Sequence, residues 1–115
     1  MTPAALEKAA LALPGVELSI KWGADRCYCV GGKMFAATDP DGGHFSLKVS
    51  DIAFEVLTET GLASPAPYAA RFKWVMFEDL AALDPAEVTD WLASAHRLIA
   101  EKLPKKQRAA LGLVV

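Results

Sequence analysis

The chain has 115 residues, 53% hydrophobic and 23% charged, enough for one domain with its own core and no need of disulfide or metal staples. Twelve Lys and Arg against fourteen Asp and Glu leave a formal charge of −2 and a pI near 5.6; dedicated nucleic-acid modules commonly exceed about 9, so the global balance argues against strong non-specific binding to DNA and leaves room only for a local patch. No internal repeat, leader peptide or apolar run of the ~18 residues that a spanning helix requires is expected.

Thr2 is a predicted helix cap with Pro3 at the first helical position, and Leu6, Ala10 and Leu13 share one face before Pro14-Gly15 stops the helix. Val16, Leu18, Ile20 and Trp22 then alternate with Glu17, Ser19 and Lys21, the pattern of a half-buried strand with the first set inward. Gly23-Ala24-Asp25 turns the chain into a second strand over 26–30. Gly31-Gly32 reads as a two-residue hairpin turn into a third strand over 33–38. A longer turn, Asp39-Pro40-Asp41-Gly42-Gly43, leads to a fourth strand over 44–49 with Phe45, Leu47 and Val49 inward.

Ser50 caps a second helix carrying Ile52, Val56 and Leu57, which ends at Gly61. Ser64-Pro65-Ala66-Pro67 is irregular, because proline cannot donate to a ladder. Phe72, Trp74 and Met76, taken as inward, alternate with Arg71, Lys73 and Val75 in a fifth strand. Asp84, Pro85 and Glu87 mark the start of the last helix as a capping box. Its stripe is Val88, Trp91, Leu92, Ala95, Leu98, Ile99 and Leu103, and Pro104 ends it. Residues 105–115 are expected to fray. The predicted order of helix, four antiparallel strands, helix, one or two strands, helix gives an α+β fold. It is a single-domain two-layer sandwich over 1–115, with helices on one face of the sheet and solvent on the other.

Four local signatures then converge. They are Leu13-Pro14-Gly15; Gly32-Lys33-Met34-Phe35 with Phe45-Ser46-Leu47-Lys48; Pro65-Ala66-Pro67-Tyr68 with Lys73-Trp74-Val75; and Lys102-Leu103-Pro104-Lys105-Lys106. In this order they resemble the MmcQ/YjbR family of small bacterial proteins over nearly the whole chain. The resemblance implies a two-layer fold like that of secretion chaperones. It also implies a DNA-binding role that rests on likeness to a double-wing transcription-factor domain. It brings no catalytic residues with it.

The residues themselves nominate a charged surface. Lys21, Arg26, Lys33, Lys48, Arg71 and Lys73 fall on or beside strands. Alternation sends Lys21, Lys48, Arg71 and Lys73 to the face opposite the core, while Asp25, Asp39, Asp41, Glu78 and Asp79 fall in turns or at strand ends. Such a face meets phosphates, with Tyr28 or Tyr68 stacking on a base. The plainer alternative is that these cations solvate the sheet and discourage edge pairing. Lys105 and Lys106, with Lys102 and Arg108, offer a second phosphate contact or merely complement a helix dipole.

Cys27 and Cys29 read as reduced core thiols, which suits a cytoplasmic protein. With His44 they fall short of the four ligands of a structural zinc site, and no metal or cofactor is expected. His96 is placed on a helix surface, Trp22, Trp74 and Trp91 in the core. The prolines flanking Ala66 stiffen a segment that either buttresses the sheet or walls a groove. No hydrolase elbow, zinc-protease helix, phosphate loop or dinucleotide fingerprint is present. The expectation is a non-enzymatic domain that binds DNA weakly and salt-sensitively through its open sheet face. The alternative is a protein-interaction module using an apolar patch around Tyr68, Phe77 and Leu111-Gly112-Leu113-Val114-Val115.

Overall fold

Side-chain caps set where the long helices begin. In the computed structural model, which describes residues 1–113, Ala5 N–H donates to the Thr2 hydroxyl at the start of α1 (Pro3–Leu11), and Ala53 N–H donates to Ser50 at the start of α2 (Asp51–Glu59). Ala86 N–H donates to the Asp84 carboxylate at the start of α3 (Pro85–Ala100). Each cap satisfies an amide that has no partner inside its helix. At α3 the cap uses the second helical amide, and among the described residues no bond from Glu87 completes the expected box.

The strands are β1 (Val16–Lys21), β2 (Asp25–Val30), β3 (Lys33–Thr38), β4 (Phe45–Lys48), β5 (Ser64–Pro65) and β6 (Trp74–Phe77). All pairs are antiparallel, in the spatial order β1-β2-β3-β4-β6-β5. Gly31 and Gly32 join β2 to β3 with φ of 59° and 79°, the two consecutive positive values that a hairpin turn matched to strand twist demands. Opposite Tyr28 and Cys29 the register slips, and the extra residue, Phe35, reaches the helix layer, where its ring meets His96 edge-on at 5.6 Å.

α1 and α3 pack on one face of the sheet, and α2 packs beside the β5–β6 edge. Between the layers Leu6 and Ala10 of α1 and Val88, Leu92 and Ala95 of α3 are buried with Tyr28, Val30, Phe35, Phe45, Leu47, Val75 and Phe77. Phe77 stacks on Phe45 at 5.8 Å and on Trp91 at 4.9 Å. These contacts confirm the α+β sandwich read from periodicity.

Four local expectations are corrected. Arg71 and Phe72 belong to a short 3-10 turn, Ala70–Phe72, and Lys73 is left-handed with φ 63°. The strand therefore starts at Trp74 and its parity reverses. Pairing of Val75 with Leu47 and Phe77 with Phe45 places those two on the covered face and turns Trp74 and Met76 to the other. Trp22 is not a core strand residue: with φ 49° it opens the β1–β2 turn and is 71% exposed. His96 is buried, donating from Nε2 to the Pro14 carbonyl at 2.8 Å. The segment after Pro104 is helix α4 (Lys105–Ala110) rather than a frayed tail. It is held by Gln107 donating to the Gly31 carbonyl and by Leu111 against the core. The expected patch residues Val114 and Val115 lie outside the described residues.

Candidate functional site

Antiparallel pairing sorts the strand termini into two ends of the sheet. One end holds the Gly31-Gly32 hairpin, Lys33 at the start of β3, and Lys48 at the close of β4. Lys73 is there too, since its carbonyl accepts from Val49 N–H at 2.9 Å. The turn after α3 packs beneath the hairpin: a Cβ at Gly31 would lie 2.6 Å from Leu103 Cδ1, and Gln107 Nε2 is 3.2 Å from the Gly31 carbonyl. That contact brings Lys102, Lys105 and Lys106 to the same end.

At the opposite end lie the turn after Lys21, Asp25, the loop with Asp39 and Asp41, and Glu78 and Asp79 after β6. Its loop is ordered: Gly43 N–H donates to Asp39 Oδ1 at 2.7 Å, and His44 Nδ1 is 3.6 Å from Asp39 Oδ2. The carboxylates of the turns thus lie at one end, with Asp39 held in place, and most of the lysines lie at the other, where Glu17, Asp51 and Glu101 are the neighbouring acids.

Most of the cations singled out by sequence, Lys33, Lys48, Arg71, Lys73, Lys105 and Lys106, therefore share the hairpin end rather than one face. The Lys48 ammonium donates to the Phe72 carbonyl. Partial burial pushes its pKa down, and the nearby positive charges of Lys102 and Lys73 push it further. The Arg71 guanidinium lies 4.7 Å from the centre of the Phe72 ring, and Lys73 Nζ 4.9 Å from that of Phe54. Such contacts fix a cation without neutralising it. Of the nearby acids, Glu101 is taken up by Arg97 at 3.1 Å, and Asp51 stands close enough to Lys48 to oppose its downward shift.

Lys21 and Arg26 do not join this group. Lys21 pairs in register with Asp25 at the acidic end. Arg26 turns to the helix layer, where Nε and Nη2 donate to Glu7 Oε1 at 3.0 and 2.6 Å. That hydrogen bond, ahead of the Coulomb attraction to the same carboxylate, raises the guanidinium pKa. Tyr28 cannot stack on a base: it is fully buried, and burial is the first cause of its raised phenol pKa.

The uncovered face has a different character. Its strand residues include Ser19, Cys27, Met34, Ala37, Ser46, Trp74 and Met76, mostly small or apolar, with Lys21 and Lys48 of the same parity at its two ends. Residues 66–69 fold over it, choosing the groove-wall alternative for that segment. Together with Trp22, Asp25, Met34, Ala37, Ser46 and Trp74 they enclose a groove of about 580 Å³. Tyr68 stands fully exposed on its wall with φ 65°. Trp22, Tyr68 and Lys73 are the non-glycine residues with positive φ among those described, and all three flank this groove or the loop that walls it. Each conformation costs about 1–2 kcal/mol, and strain of this kind tends to gather at working surfaces.

Cys27 and Cys29 lie on this face yet are buried, and desolvation raises both thiol pKa values. No group of three or more His, Cys, Asp or Glu is placed to hold a metal among the described residues. No helix is long and apolar enough to cross a membrane among those residues. A smaller cavity of about 380 Å³ opens between α2 and α3, lined by Lys48, Ser50, Trp91 and the Arg97–Glu101 pair.

The groove wall was among the alternatives open from the sequence, but the part that Trp22 and Trp74 play in the groove was not anticipated. The available signal was Trp22 directly before Gly23, because an aromatic at a glycine turn need not continue the strand's parity. A family model described as YjbR matches residues 11–98. Among solved structures, the crystal structure of Deinococcus radiodurans protein DR2400, with a DUF419 domain, superposes with a TM-score of 0.83. The match covers 97% of this chain and 88% of that one at 22% identity, a likeness of fold. No curated protein matches the chain.

Proposed function

The chain belongs to the YjbR family, and we propose that it is a non-catalytic cytoplasmic domain that binds nucleic acid weakly through the basic hairpin end of its sheet. The observation that carries this reading is the segregation of charge. Lys33, Lys48, Lys73, Lys102, Lys105 and Lys106 gather where β3 begins, β4 ends and α4 packs, while Asp25, Asp39, Asp41, Glu78 and Asp79 lie at the other end. A six-residue strand spans about 20 Å. The Debye length at physiological salt is about 8 Å. A phosphate at the basic end is therefore screened from the acids beyond the sheet, and the net charge of −2 does not decide local binding.

A cluster this small supports affinity in the non-specific range, about 10⁻⁴ to 10⁻⁶ M at physiological salt. The protein-interaction alternative needs one apolar surface from Tyr68 through Phe77 to the C-terminal segment. Phe77 is buried, and Leu111 and Leu113 are partly buried against the core, so nucleic acid is the better reading. The test is a band shift at low salt with a duplex DNA probe. The triple variant Lys33→Glu, Lys105→Glu, Lys106→Glu should lose the shift, whereas Lys21→Glu at the acidic end should keep it. Equal binding by the triple variant and the parent, with circular dichroism showing both folded, would sink the proposal.

A further inference from the structure

The groove on the uncovered face shares no lining residue with the basic end. Asp25 is the one ionisable carboxylate among its lining residues, and no cation lines it. Trp22, Tyr68 and Trp74 supply three aromatic side chains, and Met34, Ala37 and Pro67 complete an apolar surface. We propose that this groove is a binding site for a small alkylated organic cation, a quaternary ammonium compound with a short apolar or hydroxylated arm.

Three properties select that chemistry. Ring faces carry negative potential and attract a cation most strongly when it is poorly hydrated, as an alkylated ammonium is. The Asp25 carboxylate adds a full negative charge at the same site and opposes any anionic ligand. The volume of about 580 Å³ falls within the range of small-ligand pockets, about 300–1,000 Å³. A purely apolar ligand would need neither the carboxylate nor the exposed rings.

The backbone bears on the same point. Trp22 and Tyr68 adopt left-handed conformations that glycine would adopt without strain. Both keep large rings in solvent instead of burying them. Lys21 is the natural competitor. It lies opposite Asp25 across the β1–β2 ladder, is exposed, and forms no ion pair with Asp25 among the described residues. Its charge opposes a bound cation, so its removal should strengthen binding.

The experiment follows the indole N–H signals of Trp22 and Trp74 by two-dimensional NMR during titration with choline and, separately, with its neutral isostere 3,3-dimethylbutan-1-ol. Choline should shift both signals saturably and bind at least about tenfold more tightly than the alcohol. Asp25→Asn should weaken choline about tenfold while leaving the alcohol unchanged, and Lys21→Ala should strengthen choline. Tyr68→Gly, whose backbone suits that position, should weaken choline even if the Asp25 variant fails to fold. Equal affinity for choline and the alcohol would show a groove that reads shape alone and would overturn the proposal. Absence of any saturable shift would overturn it as well. Neither outcome touches the band-shift result at the basic end.

Discussion

The two ends of one sheet differ in how they are tied down and in the charge they carry. At the hairpin end, Gly31 is plugged by Leu103 and Gln107, and lysines from four separate segments lie at that end of the sheet. At the Asp39 end the chain is secured by short loop bonds, such as Leu80 N–H to the Gly42 carbonyl at 2.9 Å, and carboxylates dominate. The lesson is that antiparallel topology can sort charge along the strand axis even when the total nearly cancels. A composition-level charge describes neither end.

The widest gap between the ends should appear in nucleic-acid binding. Each lysine that contacts a phosphate adds about 0.9 to the magnitude of the slope of log K against log salt. Lys105→Gln should therefore lower that magnitude by about 1, and Lys21→Gln should leave it unchanged. Equal slopes for the two variants would erase the distinction between the ends.

Stability should show the next largest contrast. Gly31→Ala combines φ of +59° with a Cβ only 2.6 Å from the buried Leu103 side chain, for a cost of about 2–3 kcal/mol. Gly23→Ala at the acidic end has φ of +89° but nothing within 4 Å of the new Cβ, so its cost is about 1 kcal/mol. Urea unfolding of the two variants measures the difference directly.

A smaller effect of opposite sign is expected on the uncovered face. Tyr68→Gly should stabilise the fold by up to about 1 kcal/mol by relieving the left-handed strain, and its Tm should rise while choline binding falls. A drop in Tm would mean that the Tyr68 ring contributes more to packing than its full exposure indicates.

The smallest contrast is with pH. Burial raises the pKa values of Cys27, Cys29 and Tyr28 above their ordinary 9.0, 9.0 and 10.0. The unfolded chain therefore gives up these protons first. Their contribution is fully present below the unfolded values and is lost as pH climbs through the raised ones. Unfolding free energy should fall as pH rises past the ordinary thiol and phenol values, and Cys27→Ala should flatten that fall. An unchanged decline in the variant would assign it to other groups.

Much of the fold was legible because periodicity reports burial. The caps at Thr2, Ser50 and Asp84, the alternation of Phe45 with Leu47, and the Gly31-Gly32 turn all express local rules that the tertiary structure obeys. The misplaced residues share a different cause. Trp22, Phe72 and Lys73 sit at strand ends, where one left-handed residue reverses parity and no hydropathy pattern signals it. His96 looked like a surface residue because its partner, the Pro14 carbonyl, lies far away in sequence. Likewise α4 looked like a loose tail because what orders it is the remote hairpin that Gln107 reaches.

Of the candidate cations, Lys21, Arg26, Lys33 and Lys48 lie on strands, whereas Arg71 and Lys73 belong to the turn before β6 and Lys105 and Lys106 to α4. Strand parity alone could not gather them at one end, because that requires the pairing order of the whole sheet and the return of α3 to the hairpin.

The most direct test of charge segregation is an amide NMR titration of the folded protein with a short DNA duplex at low salt. Shifts concentrated at Lys33, Lys73, Lys105 and Lys106, with the loop from Asp39 to His44 unmoved, are the predicted result. Shifts centred on that acidic loop, or no shifts at any residue, would contradict it.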